Sequence, residues 1–110
     1  MSPYVSRHLE AIKDLCRKFY LRELWLFGSA LRDGFSPQSD IDFLYELAHQ
    51  HLDGKQSIEA FLGFEQALRT LLDREIELVW YTGIRNPYFK AEVDEQKVLI
   101  YDQKAEKVSV

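Results

Sequence analysis

Three short, largely apolar runs, bounded by polar or glycine residues, constrain this chain more than any other feature: Glu23-Leu24-Trp25-Leu26-Phe27, Asp40 to Glu46, and Ile76 to Tyr81. Runs of this length bounded by turn residues read as buried strands. Stretches of helical period lie between and around them. Val5, Leu9, Ile12, Leu15 and Phe19 recur at helical spacing behind Ser2-Pro3, an N-cap and first-turn pair, which predicts a helix over about 3–19. Ile58, Phe61, Leu62, Ala67, Leu68, Leu71 and Leu72 predict a longer one from Lys55 to Leu72. Asn86-Pro87 opens a shorter helix to about Gln96, and Val98 to Tyr101 reads as a last strand. Residues 102–110 read as a polar, loose tail. Helix and strand alternate, so the expected class is α/β, a small sheet with helices packed on it. A chain of 110 residues holds one core, so one domain over 1–110 is expected.

Charge and composition narrow the partners. Eighteen acidic residues stand against 14 basic ones, a net charge of −4. A chain that grips long nucleic acid by itself shows a basic surface, so no direct binding of that kind is expected. Phosphate, if handled, is handled locally, through a metal or a few donors. The single cysteine, Cys16, makes no intrachain disulfide. Met1 to Glu10 is polar and mixed in charge, unlike a signal peptide, and no apolar run approaches the roughly 20 residues of a membrane helix. A cytoplasmic protein without membrane contact is expected.

The chemistry is concentrated between Gly28 and Asp42. Gly28-Ser29 ends the first strand, ten residues follow, and Asp40-Ile41-Asp42 opens the second. Gly28 lets a triphosphate approach the backbone. Ser29 stands at a helix start, where free N–H groups attract anions, and its hydroxyl is a further donor. Asp40 and Asp42 are two apart on a strand, so both carboxylates face the same side. Such a pair repels itself unless a hard cation lies between, and Mg²⁺ takes a few carboxylates together with substrate phosphates. Two Mg²⁺ ions clamping an in-line displacement need a third acid from a neighbouring strand. Glu77 is the first candidate and Glu75 the second.

This segment resembles the signature of the polymerase-beta-like nucleotidyltransferase superfamily, a Gly-Ser, a ten-residue gap and an Asp-x-Asp. The small size is similar to its minimal nucleotidyltransferase (MNT) branch. Arg32 after the motif glycine, Ser39 before the first aspartate, Glu77-Leu78-Val79, Asn86-Pro87-Tyr88 and Val98-Leu99-Ile100-Tyr101 also fit. The resemblance implies an α/β (α+β) fold, a small mixed sheet flanked by helices. It implies that Asp40, Asp42 and Glu77 bind two Mg²⁺ ions and carry catalysis. Gly28 and Ser29 would hold the β- and γ-phosphates, with Ser39 beside them and Arg32 either reaching a phosphate or bracing the motif loop. The implied reaction is transfer of a nucleotidyl group, AMP from ATP favoured, to a hydroxyl. The branch further implies an antitoxin whose partner is an all-helical HEPN protein. The family usually carries Asp where this chain has Glu77, which favours an alternative: a weak or inactive module that neutralises a HEPN partner by contact alone. Transfer to a small molecule, as in aminoglycoside nucleotidyltransferases, ranks third, because those enzymes usually carry an extra substrate-binding domain.

Other residues have plainer readings. Gly28-Ser29 lacks the Gly-Lys-Ser/Thr ending of a Walker P-loop. His49 and His51 read as a solvated loop, His8 as helix surface, and Cys16, Trp25 and Phe27 as core. Trp80, Tyr81, Tyr88 and Phe89 read either as core or as a base-stacking wall or partner patch.

Overall fold

The structure, a computed structural model, describes residues 2–31, 40–48 and 52–108, leaving aside the side chains of 29, 30 and 106–108. Helices α1 (Pro3–Arg7) and α2 (Leu9–Lys18) lead into β1 (Leu21–Phe27) and a 3-10 turn at Gly28–Leu31. Then come β2 (Ile41–Leu47), α3 (Gly54–Leu72), β3 (Ile76–Trp80) and a second 3-10 turn, Tyr81–Gly83. The chain continues as α4 (Pro87–Gln96), β4 (Val98–Asp102) and α5 (Gln103–Val108). The strands form one mixed sheet in the order β3-β2-β1-β4. β1 runs antiparallel to β2 and β4, whereas β2 and β3 are parallel. A parallel pair needs a long crossover, and α3 supplies it. The expected small mixed sheet flanked by helices is thus present. Among the described residues no helix is long and apolar enough to cross a membrane.

Two details differ from the sequence-based expectation. The helix expected over 3–19 breaks at His8, whose amide bonds to the Val5 carbonyl three residues back at 3.0 Å. The His8 ring nitrogen Nδ1 lies 2.9 Å from the Tyr4 carbonyl oxygen, so the imidazole takes up a group that a continuous helix would bond through its backbone. The polar C-terminal stretch begins with a helix, α5, entered through Asp102, whose carboxylate accepts from the Lys104 amide at 2.9 Å.

Strand alternation sorts the side chains into two layers. On one face Leu24, Leu26, Ile41, Phe43, Ile76 and Ile100 meet Ile12, Cys16, Phe64, Leu68 and Leu72 of α2 and α3. This is the main core. On the other face a smaller cluster of Trp25, Leu44 and Val93 is flanked by Phe27, Val79 and Phe89, so α4 covers it. Helix α3 is closed at both ends. Asp53 and Gln56 form a capping box, and Asp73 ends the helix at φ 50°, a left-handed position usually given to glycine. Asp42, Leu44 and Glu46 of β2 fall on the α4 face, as do Glu77 and Val79 of β3.

Candidate functional site

Phe27, the residue before Gly28, pairs with Asp42 across the antiparallel ladder, and Asp42 pairs with Glu77 across the parallel one. The end of β1, the start of β2 and the start of β3 therefore set these residues in one row on the α4 face. Gly28 has φ +78°, and a Cβ there would stand 2.5 Å from Oδ2 of Asp42. The position thus demands glycine twice, for its backbone and for the carboxylate packed against it.

The electrostatics of the row are unfavourable. The Asp42 carboxyl is pushed up to about 6, first by burial, then by the charge of Glu77 and a hydrogen bond with it, and last by Asp40. Asp42 is half-buried, whereas Asp40 and Glu77 are exposed. Among the described residues no group of three or more His, Cys, Asp or Glu is arranged to hold a metal ion. The donor chemistry nevertheless suits a hard divalent cation: the carboxylates repel one another, and a cation would cancel the repulsion that raises Asp42.

Glu77 and Glu75 stand in different surroundings. Glu77 is the residue in register with Asp42. The Glu75 side chain reaches Arg69 of α3 at 3.5 Å, and its carbonyl accepts from the Ile41 amide at 3.0 Å, which fixes the start of the parallel ladder. Ser29 lies in the 3-10 turn Gly28–Leu31. Its side chain, Arg32, Ser39, His49 and His51 lie outside the described residues.

The aromatic group splits into two. Tyr81 and Phe89 are bound to the smaller core: Tyr81 lies 4.9 Å from the Trp25 ring, and Phe89 meets Phe27 edge-on at 6.1 Å. The Tyr81 hydroxyl also donates to Asp94 at 2.5 Å, and Lys90 and this hydroxyl hold Asp94 below the usual carboxylate range. Trp80 is 43% exposed and Tyr88 85%, so these two remain available as surface.

Sequence reasoning missed Glu46. It is 3% exposed and accepts from the Trp80 indole Nε1 at 3.1 Å, the Thr82 amide at 2.7 Å and the Thr82 hydroxyl. A buried carboxylate persists only when bonded in this way. The available signal was its parity: Glu46 shares a strand face with Asp42 and Leu44. A strand-ending glutamate ordinarily faces water, so parity alone did not single it out.

Comparison with known proteins gives a consistent answer. The family model described as Polymerase beta, Nucleotidyltransferase matches residues 10–106. A Methanocaldococcus jannaschii protein provisionally named a protein adenylyltransferase is 27% identical over 96 residues, 87% of this chain and 90% of that protein. A solved structure provisionally described as a minimal nucleotidyltransferase superposes with a TM-score of 0.69 at 21% identity, over 86% of this chain and 90% of that one. A chain from the structure of the tri-AMPylated Shewanella oneidensis HEPN toxin in complex with MNT antitoxin gives 0.60 at 23% identity, over 93% and 76%. At these identities the solved structures speak for the fold, which is that of the MNT antitoxins. With the family model spanning both the Gly28–Asp42 segment and the Glu77 strand, the chain belongs to the polymerase-beta-type nucleotidyltransferases.

Proposed function

We propose that this chain transfers AMP from ATP to a hydroxyl of a protein, and that it serves as the antitoxin of a HEPN-type partner. One observation carries the reading: Gly28, at a left-handed φ, is packed on the carboxylate of Asp42, which is itself in register with Glu77. A purely structural sheet edge gains nothing from repelling carboxylates held under a glycine. The name of the M. jannaschii relative supports a protein acceptor, and the AMPylated toxin bound to an MNT antitoxin supports the HEPN partner.

In this reading the backbone at Gly28 and Ser29 receives the β- and γ-phosphates, with Arg32 and Ser39 as further donors from the motif segment. Asp40, Asp42 and Glu77 are the catalytic acids and the residues that would hold Mg²⁺. When bound, two Mg²⁺ ions would neutralise the triphosphate and ease deprotonation of the attacking hydroxyl. The chain's own contribution is positioning: the sheet register holds the acids beside the phosphate-binding turn, and catalysis comes from alignment and charge.

A second reading, neutralisation by contact alone, is favoured by the longer Glu77 and by the lack of a closed metal cluster among the described residues. Isothermal titration with Mg²⁺ and ATP separates the two. Metal-dependent binding that disappears in Asp40→Asn/Asp42→Asn is the expected result. A folded protein that binds no ATP would leave the contact-only reading in its place.

A further inference from the structure

Helix α3 turns Ala60, Phe64, Leu68 and Leu72 into the main core. It also carries apolar side chains on a flank that faces water. Ile58 is 61% exposed and Leu62 53%, and Trp80, on the outermost strand β3, is 43% exposed. With Tyr45 and Phe61, whose rings stand 5.3 Å apart, they line an open apolar groove of about 280 Å³ on the α3 side of the sheet edge. Contiguous exposed apolar groups of this kind mark a contact surface. Along the helix the flank reads Lys55, Ile58, Leu62 and Glu65, a three-four-three spacing that sets all four on one stripe. We propose that a second copy of this chain docks on the stripe, α3 against α3, antiparallel about a two-fold axis. The inference is independent of the chemistry proposed above.

Charge complementarity selects the occupant. In a two-fold interface a residue that meets another on the copy is met by it in return. Antiparallel packing at this spacing sets Ile58 of each copy against Leu62 of the other. The same alignment sets the exposed Lys55 of each copy opposite Glu65 of the other. Apolar layers and opposite charges therefore agree on one register. Other registers lose both. Slid by one heptad, Leu62 would face Glu65 and Ile58 would face Arg69. In a parallel pair Lys55 would face Lys55 and Glu65 would face Glu65, like charge on like. Glu65 is steadied beforehand by Arg69, one turn on in the same helix at 3.4 Å. Phe61 and Trp80 border the seam and widen its apolar contact. The seam lies on the α3 face, whereas Asp42 and Glu77 lie on the α4 face, so docking covers neither carboxylate. Two apolar layers make a small interface, which implies a weak, concentration-dependent pair rather than an obligate dimer.

Sedimentation equilibrium of the full chain tests this. Between about 1 and 300 µM the mass should rise from that of one chain toward that of two. Leu62→Asp should weaken the association by about tenfold or more. Lys55→Glu and Glu65→Lys should each weaken it by about fivefold, and the two combined should restore it to within about twofold of the parent. Circular dichroism and urea midpoints check that each variant is folded, and if Leu62→Asp does not fold, the charge exchange decides. A chain that stays a monomer over the whole range overturns the proposal, as does unchanged association in folded Leu62→Asp. Charge reversals that fail to rescue each other overturn the antiparallel register, and the proposal with it. Co-expression with a HEPN-type protein is the last arm. A monomeric chain whose capture of that protein is lost in Leu62→Asp makes a helix of the partner the occupant, and this too overturns the second copy.

Discussion

Replacing Gly28 by alanine tests the row of residues at its tightest point. Two costs can be worked out. A backbone at φ +78° penalises any residue with a Cβ by about 1–2 kcal/mol. The new methyl would also lie 2.5 Å from Oδ2 of Asp42, so the carboxylate must turn away from its preferred rotamer, at about 0.5–1.5 kcal/mol. Together Gly28→Ala should destabilise by about 1.5–3.5 kcal/mol, a sizeable part of the roughly 5–15 kcal/mol typical of a domain. Gly54→Ala is the matched control. Gly54 opens α3 with nothing within 4 Å of its would-be Cβ, and alanine there should be neutral or stabilise by up to about 1 kcal/mol. Urea unfolding of the three proteins measures the difference, and calorimetry with Mg–ATP reads the displaced carboxylate as a loss of affinity on the order of tenfold. If Gly28→Ala unfolds within about 0.5 kcal/mol of the parent, the packing argument is wrong. If it binds Mg–ATP as the parent does, Asp42 is not where the triphosphate is held.

The Asp42 carboxyl sits at about 6 against an ordinary 3.8, so between these values the folded chain keeps a proton that the unfolded chain has lost. This group's contribution to stability is full below about pH 4 and is lost as pH rises through about 6. Urea midpoints from pH 4 to 7 should fall more in the parent than in Asp42→Asn, and parallel curves would refute the assignment. Glu46→Gln keeps the shape but sets an amide N–H against one of the donors from Trp80 or Thr82, which should cost about 1–3 kcal/mol. Unchanged urea stability would show that the buried carboxylate is not bonded as described. Phe64, 1% exposed and edge-on to Phe19 at 6.4 Å, should cost about 3–5 kcal/mol when cut to alanine, and thermal unfolding would detect a smaller loss.

The sequence made some parts of this molecule legible and left others dark, and the division follows the range of the forces involved. Strands β1 to β3 and helix α3 were legible because apolar period and turn residues act locally, and α3 begins within one residue of its expected start. The break at His8 was not, because it turns on one imidazole reaching the Tyr4 carbonyl while the apolar row runs on undisturbed. Glu46 was not, because its partners Trp80 and Thr82 are 34 and 36 residues away. The third acid shows the boundary most clearly. Parity puts Glu75 and Glu77 on the same strand face and cannot choose between them. Which of the two stands in register with Asp42 is set by the parallel ladder, started by the Ile41 amide on the Glu75 carbonyl, and it is Glu77.

That register also explains how so small a chain tolerates its acids. Burial of Phe43, Phe64, Leu68 and Leu72 on the α3 side supplies the larger core, at about 1.5–3 kcal/mol for each large side chain. Among the described residues, the α4 side has Trp25, Leu44 and Val93 as its buried hydrophobic members. On that thinner side Gly28, Asp42 and Glu77 stand in line, and the raised Asp42 carboxyl marks an electrostatic cost there. A cation and a triphosphate would relieve that cost, so the same imbalance that weakens the empty protein would strengthen the loaded one. Thermal unfolding with and without Mg–ATP should then differ more in the parent than in Asp42→Asn, and equal shifts in the two would break the link between site and stability.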